Sequence, residues 1–136
     1  MAENAYFKLQ VYTPNRIFYE GEADMIELTT TEGDVGIYKN HIPLTAIVAP
    51  GILRIHKDGE VREATLLAGF LEILPETVTV LAESCEWPEE IDRARAEEAR
   101  IRAERRLKSN ESFNYDRAEL ALKRALLRLE LSDRYH

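Results

Sequence analysis

The sequence predicts a β-plus-α protein, a flattened β-sandwich or barrel followed by an antiparallel two-helix hairpin. Three observations carry that prediction. Asp58-Gly59 lies between two alternating runs, short apolar runs recur at even spacing between turn residues, and the hydrophobic period becomes helical once, after Trp87-Pro88.

Phe7, Leu9 and Val11 alternate with Lys8, Gln10 and Tyr12, which predicts a first strand with one buried face. A turn at Pro14-Asn15 follows, and strands are expected over residues 24–30, 34–38 and 44–48, with a turn at Glu32-Gly33. After Pro50-Gly51, Ile52 to His56 and Val61 to Leu67 flank the Asp-Gly turn as a hairpin. Residues 69–74 and 77–82 complete the series around Pro75-Glu76. Many short strands so spaced mean a sandwich or barrel.

Beyond Trp87-Pro88 a first helix is expected over residues 89–107, with Pro88 fitting a first turn and Glu89 and Glu90 at the positive end of its dipole. Lys108 to Ser112 is a polar break, and a second helix should run over residues 114–131. The organisation is a β-domain over 1–86 and a helical domain over 87–136. The first helix offers alanine (Ala94, Ala96, Ala99, Ala103) and the second leucine, so the hairpin buries little area at ~25 cal/mol per Å² against ~1–2 kcal/mol of backbone ordering per residue. It should be able to open.

Charge divides at the same place. Residues 1–88 carry 6 Lys+Arg against 14 Asp+Glu, an acidic globule that should avoid nucleic acid and anionic lipid. Residues 89–136 carry 12 against 11, and ten of those cations are arginines. Cys85 is a single cysteine, which excludes an internal disulfide and argues against structural zinc. No run approaches the ~18 apolar residues of a membrane span and no secretory leader pattern is seen, so a cytosolic or peripheral location is expected.

The helical segment carries the candidate chemistry. Asp92, Arg95, Ala99 and Arg102 fall on one helix face, and Arg124 and Arg128, four apart, share another that a hairpin can return to the same neighbourhood. Several guanidinium groups, one carboxylate and alanine walls suit a polyphosphate carrying a flat base, because arginine forks take phosphate oxygens in pairs. The plainer alternative is a solvated face of ion pairs worth ~0.2–0.5 kcal/mol each. There is no Gly-rich phosphate loop ending in Lys-Ser/Thr and no nucleophile beside a base, so hydrolysis by this chain is not expected.

Thr31-Glu32-Gly33-Asp34-Val35-Gly36-Ile37, then His41-Ile42-Pro43-Leu44 and Ala49-Pro50-Gly51-Ile52-Leu53, together resemble the signature of the epsilon subunits of bacterial F-type ATP synthases, and the likeness extends through the Arg-rich helices. The resemblance implies a ten-stranded β-sandwich with a two-helix C-terminal domain, set on the rotor between the gamma subunit and the c-subunit ring. It implies a non-catalytic subunit, peripheral at the cytoplasmic face of the cell membrane, that couples proton-driven rotation to ATP synthesis. Its partners would be gamma, the c ring and the alpha/beta catalytic head, with no nucleic acid and only indirect contact with the membrane. Glu32 and Asp34 would approach the c ring and His41 would lie near gamma, while His56 reads as plain surface.

Ile91-Asp92-Arg93-Ala94-Arg95-Ala96 is similar to the Ile/Leu-Asp-x-x-Arg-Ala motif of the ATP-binding, bacilli-like members. By that likeness ATP is a regulatory ligand. Glu86 and Asp92 would meet its base or ribose, Ile91 and Ala96 would line the site, and Arg95, Arg102, Arg124 and Arg128 would surround the phosphates; whether magnesium accompanies it is not implied. The compact hairpin would be permissive, and extended helices would inhibit hydrolysis by setting Lys123, Arg124 and Arg128 against acidic loops of the catalytic subunits. Two other readings stay open: a purely structural rotor subunit, and an unrelated β-domain with an Arg-rich arm for RNA or another helix.

Overall fold

The computed structural model describes residues 5–109 and 115–135, and the chain divides into two compact units between Cys85 and Glu86. The first holds eight strands: β1 (Phe7–Tyr12), β2 (Ile17–Ala23), β3 (Met25–Thr30), β4 (Gly33–Tyr38), β5 (Leu44–Val48), β6 (Gly51–Lys57), β7 (Glu60–Ile73) and β8 (Thr77–Glu86). They pair in the order β2-β1-β8-β7-β5-β3-β4, with β6 bonded to both β3 and β7. β1 and β8 run parallel, tying the first strand to the last, and the other mapped pairs are antiparallel. Alternation turns Phe7, Leu9 and Val11 of β1 inward against Val78 and Val80 of β8, with Ile26, Leu53, Leu66 and Leu71 in the same core, each at most 2% exposed.

Asp58 and Gly59 both take positive φ, 53° and 81°, between the paired residues Lys57 and Glu60, as the two-residue turn requires. The resemblance implies ten strands, whereas the described residues hold eight. One reason is that the runs expected at 61–67 and 69–74 are one strand, β7, kinked at Ala68 (φ 50°) and Gly69 (φ 145°). At that kink β7 leaves β6 and turns to β5. A Cβ on Gly69 would lie 1.9 Å from the Leu81 carbonyl oxygen, so only glycine admits this approach of β8. β2 was not expected. Its polar centre, Glu20-Gly21-Glu22, hides a strand whose Phe18 and Ala23 are buried and whose register on β1 shifts at Val11/Tyr12.

The second unit begins with a 3-10 turn, Pro88–Glu90, followed by α1 (Arg93–Lys108) and α2 (Tyr115–Arg134). The helix expected from residue 89 starts later because Glu90 accepts the Trp87 N–H at 2.9 Å, Ile91 is extended and buried, and Asp92 becomes the N-cap. α2 runs past the expected residue 131 because Leu131 and Ser132 are buried, at 0% and 1% exposed, and hold its last turn. Residues 110–112 of the expected break, and the expected helix start at 114, lie outside the described residues. No helix among the described residues is long and apolar enough to cross a membrane.

Candidate functional site

α1 buries Ala96 and Ala103, and α2 buries Ala118, Ala125 and Leu129, so small side chains let the two helices approach closely. Arg93 at the start of α1 donates to Asp133 near the end of α2, Nε to Oδ1 at 2.9 Å, as the antiparallel sense of the two helices brings these ends together. In an antiparallel pair the residues one position before each seam residue fall on the same flank, because both helices are right-handed and run in opposite directions. Arg95 and Arg102 precede Ala96 and Ala103; Arg117, Arg124 and Arg128 precede Ala118, Ala125 and Leu129. The residues that follow the seam, among them Glu97, Glu104, Glu119 and Glu130, go to the opposite flank. These five arginines thus share one side of the hairpin and these four glutamates the other, where Arg93 and Arg100 lie near Glu97.

On the acidic flank Arg100 donates to both Glu97 and Glu104. The hydrogen bond from Arg100 holds the Glu97 carboxyl below the usual carboxylate range, and Glu97 in turn raises the guanidinium above its ordinary value. On the basic flank Arg128 Nε donates to Glu86 Oε1 at 2.6 Å, and each side chain is 28% exposed.

The expected site residues therefore fall into four groups. Glu86 and Arg128 are in direct contact. Arg95, Arg102 and Arg124 join Arg128 on the flank by helical position; Arg95 and Arg102 are exposed, while Arg124 is half-buried with its Nε inside. Asp92 is exposed, and its Oδ1 accepts the Arg95 N–H at 3.1 Å, so it caps α1. Ile91 and Ala96 are buried, at 9% and 3% exposed, Ala96 in the seam between the helices. Periodicity within α2 is enough to place Arg117, seven residues before Arg124, on the same face, whereas the Glu86–Arg128 and Arg93–Asp133 pairs escape it because they depend on how two helices align. The separation of Arg from Glu beside alanine positions was the available signal.

In the β-domain Asp34 lies in β4, where its Oδ1 accepts from Thr29 Oγ1 at 2.7 Å across the β3–β4 pair. Glu32 is exposed in the turn, its N–H bonded to Thr30 Oγ1 at 3.1 Å, and it lines a shallow groove with Val35, Leu44, Ile47 and Phe70. Ile47 and Phe70 are cross-strand partners, 54% and 57% exposed. His41 follows Asn40 at φ 64°, and its Nδ1 lies 2.8 Å from the Ile42 carbonyl oxygen. His56 is not plain surface: its Nε2 meets Glu27 Oε1 at 2.6 Å with the ring 29% exposed, because β3 and β6 are neighbours. Tyr6 bonds Asp58, and that acceptor pushes the phenol up to about 12.

Residues 6–88 match the family described as ATP synthase, Delta/Epsilon chain, beta-sandwich domain, and residues 89–133 match the corresponding long alpha-helix domain. The chain belongs to the ATP synthase delta/epsilon family. It is 50% identical over 131 residues to the ATP synthase epsilon chain of Caldanaerobacter subterraneus subsp. tengcongensis, covering 95% of each chain. It is 45% identical over 126 residues to that of Clostridium novyi, covering 92% of this chain and 96% of the other. A chain in the Euglena gracilis mitochondrial ATP synthase OSCP/F1/c-ring structure shares the fold of this epsilon-type chain, with a TM-score of 0.82 at 22% identity over 96% of this chain and 82% of that one. One in the Tetrahymena thermophila central stalk/c-ring structure gives 0.62 at 15%, over 93% and 96%.

Proposed function

We propose that this epsilon-family chain is the non-catalytic central-stalk subunit of an F-type ATP synthase, peripheral at the cytoplasmic face of the bacterial cell membrane. It couples proton-driven rotation to ATP synthesis, and its C-terminal helices regulate hydrolysis. Near full-length identity to epsilon chains supports the first part. The exposed Ile47–Phe70 pair beside Glu32 gives the β-domain an apolar face with an acidic edge, suited to docking on the gamma subunit and the c ring.

The regulatory part rests on the arginine flank. Arg95, Arg102, Arg124 and Arg128 line one side of the hairpin seam with Glu86 at the end of the row, a donor set that fits a nucleoside polyphosphate. Those arginines would hold phosphate oxygens, and Glu86 and Asp92 would meet the base or ribose. The row exists only while α1 and α2 are antiparallel, so ATP binds the compact form and shifts the population toward it by its differential affinity. Extended helices release Arg124 and Arg128, with Lys123, to acidic surfaces of the catalytic head, and hydrolysis falls. The test is hydrolysis by the assembled enzyme carrying a chain that ends at residue 86. Hydrolysis should rise at low ATP with rotor assembly intact, and an unchanged rate at every ATP concentration would refute an inhibitory hairpin.

A further inference from the structure

We propose that Glu86 is an internal competitor for the polyphosphate, so that nucleotide enters the hairpin by ion-pair exchange at Arg128 and not by simple addition. This rests on the nucleotide reading above. Arg128 stands on the arginine flank, yet its Nε is committed to Glu86 Oε1 at 2.6 Å with both side chains largely out of water. A phosphate that takes the side-on fork of Arg128, the one that includes Nε, has to displace that carboxylate, since each in-plane N–H serves one strong acceptor.

The two partners are 42 residues apart in sequence, Glu86 ahead of the 3-10 turn and Arg128 in the second half of α2. The pair therefore forms only when the hairpin is closed, and it does two things at once. It holds the arginine row together without ligand by keeping Arg128 neutralised among like charges. It also lowers affinity for any polyanion, because the incoming phosphate repeats an interaction the protein already makes. Exchange frees Glu86 as an acceptor beside the displaced position, so a ligand carrying both phosphates and hydrogen-bond donors recovers what bare polyphosphate loses. The closed hairpin thereby discriminates a nucleotide from the inorganic polyphosphate of the same charge.

Calorimetric titration of the full chain with inorganic tripolyphosphate and with ATP tests the exchange. The variants are Glu86→Gln, Arg128→Lys and their combination, with Glu89→Gln, an exposed carboxylate three residues along, as the control for charge alone. Glu86→Gln should tighten tripolyphosphate at least about threefold. It should exceed Glu89→Gln and lose most of its effect beside Arg128→Lys, while ATP gains less than tripolyphosphate or loses affinity. Equal effects of Glu86→Gln and Glu89→Gln, weaker tripolyphosphate binding by Glu86→Gln, or a full effect surviving in the Arg128→Lys background would overturn the exchange while leaving ATP binding by the parent chain in place. If neither the parent chain nor Glu86→Gln binds ATP or tripolyphosphate, the nucleotide reading falls and the exchange with it. Circular dichroism of each variant reads helix content, and because Glu86→Gln is nearly isosteric, its comparison with Glu89→Gln decides the matter even if Arg128→Lys loosens the hairpin.

Discussion

Replacing Asp92 by alanine removes the oxygen that accepts the Arg95 N–H at the start of α1, and with it the carboxylate at the positive end of that helix. Loss of such a cap costs about 1 kcal/mol. The first turn of α1 carries Arg93 and Arg95 and no acidic residue, so loss of the charge at the dipole adds ~0.3–1 kcal/mol. Together these lower the folded-to-unfolded ratio of the helical unit about tenfold, before any ligand is added. Asp92→Asn keeps a capping oxygen and loses only the charge, so it should cost no more than ~0.3–1 kcal/mol. Urea unfolding of the full chain, followed by far-UV circular dichroism at the helical band, reads the stability term, and ATP titration of the same variants reads the ligand term. If Asn destabilises the helices as much as Ala, the cap has no part in the effect. If Asn binds ATP as well as the parent and only Ala is weak, Asp92 acts on the ligand solely through the helix it starts.

Gly69→Ala should destabilise the β-domain by at least ~3 kcal/mol, since it adds a Cβ within 1.9 Å of the Leu81 carbonyl oxygen at a φ of 145°; a loss under ~1 kcal/mol in a urea melt would contradict the kink. A double-mutant cycle on Arg93→Ala and Asp133→Asn should give a coupling of ~0.2–1 kcal/mol that vanishes in molar salt, because both side chains are more than half exposed; a salt-independent coupling would contradict a screened ion pair. The Glu97 carboxyl is depressed in the folded chain, so its contribution is present above the ordinary value of 4.5 and is lost as the pH falls through the lower, folded value. Helix stability of the parent should therefore drop more steeply in that acid range than that of Glu97→Gln, and identical acid limbs would exclude the Arg100 bond as the cause.

Most of the β-domain was legible because alternation and turn chemistry are local. Phe7–Tyr12 and Leu44–Val48 match the expected strands, and the Asp58-Gly59 turn has the backbone it needs. β2 was hidden because Glu20-Gly21-Glu22 contributes no apolar signal and is held as a strand by its pairing with β1. The single strand β7 was divided at Gly69, whose role depends on the approach of β8 and leaves no mark in the flanking residues. In the hairpin, spacing within α1 and within α2 was readable, and so was the segregation of arginine from glutamate. What could not be read was partner choice across the seam. Arg93 reaches Asp133 and Glu86 takes Arg128, because each pair depends on the alignment of the two helices along their buried Ala96, Ala103, Ala125 and Leu129, whereas the Asp92 cap is local to α1.

The central claim is that the arginine row of the closed hairpin is a nucleotide site, and calorimetric titration of the isolated full chain with ATP tests it most directly. The account predicts saturable one-to-one binding that weakens by about tenfold or more on Arg124→Ala or Arg95→Ala, as loss of a charge-assisted hydrogen bond requires, and changes far less on Arg105→Ala, a residue that does not precede a seam position. Heat no greater than dilution, or equal weakening by all three substitutions that disappears in high salt, would contradict it.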